Sequence, residues 1–172
     1  MTVELKLRLQ EPEKVRSMLR YFDPSNAEKK IEHYEYFKDK KTGNLQILKN
    51  SDNKLSHIVC HQTPDKKGFD FTEKEIKSWN IMLANMKKKY NYQVSFTKES
   101  REYSVKDISI KFCTIQSIGT FMEIKADVGG ERRLLDFIDN FGLNEKDLVK
   151  IPYDELILQK LGKRVAKLQV LK

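Results

Sequence analysis

Cysteine is scarce in this sequence. Its two cysteines, Cys60 and Cys113, lie far apart, and neither belongs to a Cys-x-x-Cys pair. This spacing argues against a disulfide framework and against a structural zinc site, because both need several suitably spaced thiols. The cysteine content therefore fits a reducing, intracellular setting.

Long apolar segments are also missing. No run approaches the roughly 18 apolar residues that a membrane-spanning helix needs, and the first residues lack the apolar stretch of a secretory signal peptide. No linker divides the 172 residues, a length suited to one domain with a sizeable core. We therefore expect a single domain over residues 1–172, located in the cytoplasm and without a membrane contact.

The composition is polar and basic. Charged residues make up 34% of the chain and the mean hydropathy is −0.64, yet aromatic residues still contribute 10%, enough for a globular fold. Thirty-three Lys and Arg against 25 Asp and Glu give a net charge of +8. This excess favours anionic partners such as phosphates, nucleic acid or an acidic membrane surface, and it does not choose among them.

Residues 2–9, TVELKLRL, alternate strictly between apolar and polar or charged side chains, which is the period of a half-buried strand. The apolar face carries Val3, Leu5, Leu7 and Leu9, and the charged face carries Glu4, Lys6 and Arg8. A sheet with one wet face would give this pattern, and so would a barrel with a polar lumen and helices outside. Because the predicted helices need an apolar surface to pack on, we favour the barrel, with the charged strand faces pointing inward.

The remaining elements follow from turn signals and periodicity. Strands are predicted at 30–37, as a pair within 38–65, and at 92–103, 103–115 and 119–128. Helices are predicted at 11–24, at 73–89 with Thr72 and Glu75 as a capping box, and in two C-terminal segments separated by Pro152. The sequence therefore predicts seven or eight strands and three or four helices.

The order of these segments resembles the CYTH superfamily, the triphosphate tunnel metalloenzymes, which include class IV adenylyl cyclases, thiamine triphosphatases and inorganic triphosphatases. The resemblance runs from about Thr2 to Leu158 and is carried by the order of short motifs. The motif residues that are kept are Glu4, Lys6, Tyr36, Phe37, Glu73, Glu75, Lys98, Tyr103, Gly119, Phe121, Glu123 and Tyr153. The resemblance implies an α+β fold: a closed antiparallel β-barrel of about eight strands that forms a tunnel, with helices packed outside.

The same resemblance implies a site. In the family, lumen carboxylates hold Mg²⁺ or Mn²⁺, and Lys and Arg hold a triphosphate, because hard cations prefer oxygen ligands and phosphates prefer cationic donors. Here the implied metal ligands are Glu4, Glu73, Glu75 and Glu123. The implied triphosphate contacts are Lys6, Arg8, Lys98, Lys111 and Lys125, with Lys6 and Lys98 as the catalytic cations.

Several positions depart from the family pattern. Thr2, Cys113 and Lys125 stand where acids are expected, Tyr34 stands at an Asp position, and Gln46, Leu48, Gln62 and Ser100 stand where cations are expected. Lys49 could replace a missing cation through a register slip, whereas Arg101 would need a bulge because neighbours on a strand face opposite ways. A lysine at position 125 would also repel a metal ion.

Two functions stay open at this stage. The first is a Mg²⁺- or Mn²⁺-dependent triphosphatase or adenylyl cyclase acting on a triphosphate-containing molecule or polyphosphate. The second is a catalytically inactive tunnel that binds an anion, a nucleotide or a macromolecule without metal, since a fold does not fix a function. Nucleic-acid binding is not favoured, because the lysine runs fit solvated helix ends, and the amphipathic C-terminal segment could dock on a second copy to give a homodimer.

Overall fold

Eight antiparallel strands close into a barrel in the computed structural model, which describes residues 2–22, 28–61, 67–127 and 129–170. The strands are β1 (Thr2–Arg8), β2 (Lys29–Lys38), β3 (Leu45–Ser51), β4 (Lys54–His61), β5 (Phe69–Glu75), β6 (Asn91–Val105), β7 (Ile108–Ile115) and β8 (Gly119–Asp127). The helices are α1 (Pro12–Phe22), α2 (Trp79–Lys89), α3 (Glu131–Asn140) and α4 (Tyr153–Val170). This architecture confirms the predicted α+β barrel with helices outside.

The strand order around the barrel is β1-β5-β4-β3-β2-β6-β7-β8, and β8 pairs with β1 to complete the circle. In the closing ladder Glu4 is opposite Lys125 and Lys6 is opposite Glu123. Because side chains directly across an antiparallel pair lie on the same face of the sheet, this register places two acids and two lysines together. This shared face of the sheet lines the lumen of the barrel.

The apolar face of β1 packs outward against α3. Leu5 and Leu7 are fully buried, as are Leu134 and Ile138 of α3, and all four belong to one core cluster. Burying a leucine or isoleucine side chain contributes about 1.5–3 kcal/mol each. This burial fixes which face of β1 points outward, so Glu4 and Lys6 point into the barrel.

The helix predicted over 73–89 begins later than the sequence suggests. Strand β5 continues to Glu75 and pairs with β4, so that Glu73 is opposite Ile58 and Glu75 is opposite Ser56. Helix α2 begins at Trp79, and the residue before it makes no side-chain capping bond. The capping-box prediction was therefore wrong, because the backbone of Thr72 to Glu75 is used by the β4–β5 ladder.

The pair of strands predicted within 38–65 is confirmed as β3 and β4, which are joined by a tight turn. Asp52 and Asn53 have φ values of 49° and 63°, the left-handed conformation that a two-residue hairpin turn requires. The predicted boundary at residue 103 was wrong, because β6 continues to Val105 and turns at Lys106, where φ is 55°. None of the helices formed by the described residues is long and apolar enough to cross a membrane.

The first turn of α4 closes one end of the barrel. Tyr153 is 2% exposed, and its ring contacts those of Phe121 and Phe96, with centroids 5.0 Å and 6.0 Å away. Phe121 and Phe96 belong to β8 and β6, so the tyrosine joins two walls of the barrel from inside. The open end of the lumen, called the mouth below, is the end at which Lys49, Glu73 and Lys125 lie.

Candidate functional site

Charged side chains from seven strands converge inside the barrel. The lysines are Lys6 on β1, Lys49 on β3, Lys98 on β6, Lys111 on β7 and Lys125 on β8, and the glutamates in contact with them are Glu4, Glu32, Glu73 and Glu123. Five ammonium groups thus face four carboxylates among the described lumen residues. The structure therefore brings together most of the charged residues predicted from the sequence, and the lumen keeps a small excess of positive charge.

The most deeply buried ion pair joins Glu123 and Lys98. Their side chains are 3% and 5% exposed, and Lys98 Nζ lies 2.7 Å from Glu123 Oε1. The Tyr153 hydroxyl donates a second hydrogen bond, of 2.8 Å, to the same oxygen. Burial opposes ionisation of Glu123, but Lys98 and, after it, Lys125 and Lys111 hold its pKa well below the usual range. Glu123 is therefore an ionised carboxylate enclosed by donors.

Glu32 is a second enclosed carboxylate, and the sequence analysis missed it. It is 1% exposed and accepts a 2.7 Å hydrogen bond from Ser100 Oγ, while Lys49 and Lys111 each lie 3.3 Å from one of its oxygens. Burial raises its pKa, but Lys98, Lys111 and Lys49 outweigh this and lower the pKa to about 2. Ser100, which stands at an expected arginine position, therefore donates a hydrogen bond to a buried glutamate.

A sequence signal for Glu32 existed in the alternation of β2. Glu32 shares a face with Tyr34 and Tyr36, which are both buried, whereas Ile31 on the other face is 59% exposed. An exposed isoleucine beside a buried glutamate inverts the usual polarity of a strand. The pattern was hidden because residues 30–37 contain polar side chains on both faces.

Two further ion pairs lie toward the mouth of the barrel. Lys125 Nζ is 3.2 Å from a Glu4 oxygen, and Lys49 Nζ is 3.8 Å from a Glu73 oxygen. Burial lowers the pKa of Lys125, but Glu4 and Glu123 outweigh it and raise the value above the usual range. The side chains of Lys49 and Lys125 are 17% and 26% exposed, so they are the lumen lysines that solvent ions reach most readily.

Lys6 differs from the other four lysines. Within the described residues it forms no ion pair, and its ammonium instead lies 3.6 Å from the centroid of the Tyr153 ring and 4.6 Å from that of Phe69. It is 4% exposed, and burial lowers its pKa more than the charges of Glu4 and Glu123 raise it. Aromatic faces attract a cation, but they compensate for lost hydration less fully than a carboxylate does. Lys6 is therefore the lumen cation with the least direct charge compensation.

Other predicted cation positions lie elsewhere. Arg8 lies at the exposed end of β1, where it donates a 3.0 Å hydrogen bond to the Ile118 carbonyl, and it does not join the lysine cluster. Gln46 and Leu48 face outward: Gln46 lies 2.8 Å from His57, and Leu48 packs in the cluster beside α2. Lys49 faces inward, so the register places a lysine in the lumen one residue after Leu48.

The residues of β6 and β7 that differ from the family pattern also have defined positions. Arg101 lines a pocket on the outer surface beside α1, which agrees with the prediction that it could not replace the residue at position 100. Cys113 is fully buried in the lumen, and burial raises the pKa of its thiol well above the usual range. Gln62 lies outside the described residues.

The implied divalent-metal site requires several free oxygen donors on one ion. Of the four implied ligands, Glu4, Glu73 and Glu123 contact lysines, while Glu75 lies at the exposed end of β5. Across the described ranges, no three acidic, histidine or cysteine side chains converge as a metal site would need. Ammonium groups occupy the positions next to the carboxylates where a cation would bind, so this donor set does not fit Mg²⁺ or Mn²⁺.

The opposite side of the lumen is apolar. We define the apolar wall as the inward-facing residues of β3, β4 and β5 below the mouth: Leu45, Ile47, Ile58, Cys60, Phe69 and Phe71. Between this wall and the lysines lies a cavity of about 60 Å³, which has room for a few water molecules. The cavity therefore has one charged side and one apolar side.

Comparison with known proteins gives a structural likeness. No family model and no curated protein matches the sequence. A conserved hypothetical protein from Pyrococcus furiosus is similar in structure, with a TM-score of 0.77 and 20% identity over 91% of this chain and 100% of that one. A candidate adenylate cyclase from Vibrio parahaemolyticus has a TM-score of 0.72 and 19% identity over 91% and 97% of the two chains.

A candidate adenylyl cyclase from Hippeastrum, whose dominant activity is that of a triphosphatase, has a TM-score of 0.63 and 15% identity over 92% and 96% of the two chains. The chain therefore has the fold of the CYTH-type triphosphate tunnel proteins. At these identities the likeness defines the fold alone. The residues of this lumen determine what it can bind or react with.

Proposed function

We propose that this barrel binds a triphosphate-class anion in its lumen without a divalent metal. The observation that carries the proposal is the ammonium group of Lys6, which is buried among aromatic rings with no carboxylate paired to it in the described lumen. A buried charge without a carboxylate in direct contact is costly, and an anion from solution would supply that contact. Phosphate oxygens also form short, charge-assisted hydrogen bonds with ammonium groups.

The path for such an anion begins at the mouth. Lys49 and Lys125 are partly exposed there, and Lys98 and Lys6 lie deeper along the same side of the lumen. Since the cavity is only about 60 Å³ and is lined by Lys49 and Lys125 at the mouth, the phosphate groups would extend along the lysines in that direction. Lys49, Lys98 and Lys125 would each exchange part of their contact with a glutamate for contact with a phosphate oxygen, and Lys6 would gain its first anionic contact.

Metal-dependent hydrolysis or cyclisation is the competing function. The plant structure with its dominant triphosphatase activity favours it, as does the presence of Glu4 and Glu123 in the lumen. The pairing of these carboxylates with lysines weighs against it. Without a metal, the lysines alone would have to neutralise the charge of a phosphoryl group in transfer, for which metal ions ordinarily supply much of the stabilisation.

The test is calorimetric titration with tripolyphosphate in EDTA, repeated with Mg²⁺ or Mn²⁺ and followed by measurement of phosphate release. We expect binding in EDTA, an affinity that is not raised by metal, and no phosphate release. Metal-dependent turnover that is lost in Glu4→Gln and Glu123→Gln would overturn the proposal and establish the enzyme. Absence of binding with and without metal would reject both functions.

Replacement of Lys6 by methionine is expected to weaken tripolyphosphate binding by at least about tenfold, the usual size of one lost charge-assisted contact. The folded protein should not lose stability, because methionine fills a similar space beside Tyr153 and Phe69 without a buried charge. The measurements are the same titration and urea unfolding. Lys74→Met is the matched control, since Lys74 is exposed on the outward face of β5 and the change in net charge is identical.

If Lys6→Met and Lys74→Met reduce the affinity equally, net charge rather than the lumen determines binding. That result would contradict the assignment of the site to the lumen.

A further inference from the structure

We infer that the ligand of this lumen is an amphiphilic phosphate ester, in which a phosphate or diphosphate carries a small hydrocarbon group that packs against the apolar wall. The inference rests on the proposed anion binding and specifies the chemical class of the ligand. A bare polyphosphate is charged along its whole length and would leave the apolar wall without a complementary partner. An ester with a hydrocarbon group would match both sides of the cavity.

Charge is divided unevenly around the lumen. Below the mouth, every inward-facing residue of β3, β4 and β5 in the described chain is uncharged. The charged residues on the inward-facing side of these strands lie at the mouth ends: Lys49, Lys54, Glu73 and Glu75. At the same depth the other side carries Lys6, Lys98 and Glu123. An anion symmetrically surrounded by cations would need basic residues on both sides, and this lumen provides them on one.

The apolar wall offers hydrocarbon surface and no strong hydrogen-bonding side chain. Ile47 and Ile58 are directly opposite each other on β3 and β4, and Phe69 lies nearby on β5 below the ammonium group of Lys6. Aliphatic side chains offer no hydrogen bond to a phosphate, a ribose or a base edge, whereas they favour contact with hydrocarbon. The wall therefore selects an apolar group rather than a polar one.

The volume of the cavity limits the size of the hydrocarbon group. The cavity of about 60 Å³ extends from Lys6 to Lys49 and Lys125 at the mouth, and it has room for only a few non-hydrogen atoms. A branched five-carbon group has five such atoms. It would fit between Lys6 and the apolar wall, while its diphosphate extended past Lys98 and Lys125 to the mouth.

The experiment compares two ligands with the same anionic head group. Pyrophosphate and 3-methylbut-2-enyl diphosphate carry nearly the same charge at neutral pH and differ by the five-carbon group. Both are titrated calorimetrically into the full chain in EDTA. We expect the ester to bind at least about tenfold more tightly, because full burial of five carbons would be worth more than that.

Two variants assign the difference to the apolar wall. Ile47→Lys adds a cation to the wall and is expected to abolish or reverse the preference for the ester. Ile31→Lys is the matched control, since Ile31 is 59% exposed on the outer face of β2, and it should leave the preference unchanged. If Ile47→Lys does not fold, Ile58→Thr replaces it, as a smaller change that removes the terminal methyl group and places a hydroxyl on the same wall. It should reduce the preference by about threefold to tenfold.

The outcomes separate the two proposals. Equal affinities for pyrophosphate and the ester would overturn the amphiphilic ligand while leaving anion binding intact. A preference for the ester that persists in the wall variants would also overturn it, because the hydrocarbon would then bind elsewhere. Absence of binding for both ligands and for tripolyphosphate would reject the proposed function, and the inference with it.

Discussion

Replacing Glu123 by glutamine is expected to lower the free energy of unfolding by about 3 kcal/mol, since the substitution leaves a buried ammonium without its counter-ion. Lys98 is 4% exposed and lies 2.7 Å from the carboxylate that the substitution neutralises. The glutamine carbonyl can still accept the hydrogen bond from the Tyr153 hydroxyl, so the loss reflects the charge and not the packing. Urea unfolding at pH 7.5 measures it.

The control for this substitution is Glu99→Gln on the outer surface of β6. Glu99 also pairs with a lysine, Lys29, at 3.0 Å, but both side chains are about half exposed, at 52% and 47%. Exposed pairs contribute about 0–1 kcal/mol, so Glu99→Gln should have little effect. Adding Lys98→Met to Glu123→Gln should recover most of the lost stability, because it removes the uncompensated charge. Equal effects of Glu123→Gln and Glu99→Gln would contradict the buried network.

Replacing Asp154 by asparagine is expected to raise the free energy of unfolding at pH 7.5 by about 2–3 kcal/mol. Asp154 is 2% exposed at the start of α4, and one of its carboxylate oxygens has no hydrogen-bond partner. Burial raises its pKa from 3.8 to about 6. The folded protein therefore holds the proton more tightly than the unfolded chain does.

The sign of the pH dependence follows from that raised pKa. Below about pH 4 the group is protonated in both states, so Asp154 and asparagine should be equivalent there. Stability conferred by the protonated form is lost as the pH rises through about 6, and above that pH the advantage of asparagine is constant. Urea unfolding between pH 4 and 8 gives the curve, with exposed Asp139→Asn on α3 as control. A pH-independent difference would indicate a packing effect of the substitution.

Strand β1 shows how far the sequence alone can define this fold. Its alternation predicts both faces, and the structure places Leu5 and Leu7 in the outer core and Glu4 and Lys6 in the lumen. The prediction succeeded because a period of two is visible in one strand, without knowledge of its neighbours. The closed barrel followed from the same feature, since the predicted helices needed the apolar faces.

The contacts inside the lumen could not be predicted in the same way. Whether Glu4 meets a metal or Lys125 depends on the β1–β8 register, which joins residues far apart in the chain. The apolar wall was missed for a related reason. The family motif predicts that the side chains at positions 46 and 48 face the lumen, but in β3 the side chains at positions 45 and 47 do so. A shift of one residue exchanges the lumen face of a strand for its outer face.

The acidic pair at positions 73 and 75 illustrates a competition between local and distant interactions. A threonine followed three residues later by glutamate is a good local signal for a helix start. The β4–β5 ladder nevertheless continues to Glu75, because pairing satisfies the backbone groups of this segment. Sequence proximity alone therefore placed the start of α2 too early.

The position of β1 has a consequence for the order of folding. This strand pairs with β5 at three residue positions and with β8 at seven, and β8 spans Gly119–Asp127. During synthesis more than a hundred residues are added after β1 before β8, its main neighbour, is complete. Pairings between strands so far apart in sequence form slowly. Since the same ladder brings Lys6 and Glu4 beside Glu123 and Lys125, we expect the charged lumen to be completed at the closing step of folding, after the β2–β3–β4 meander has formed.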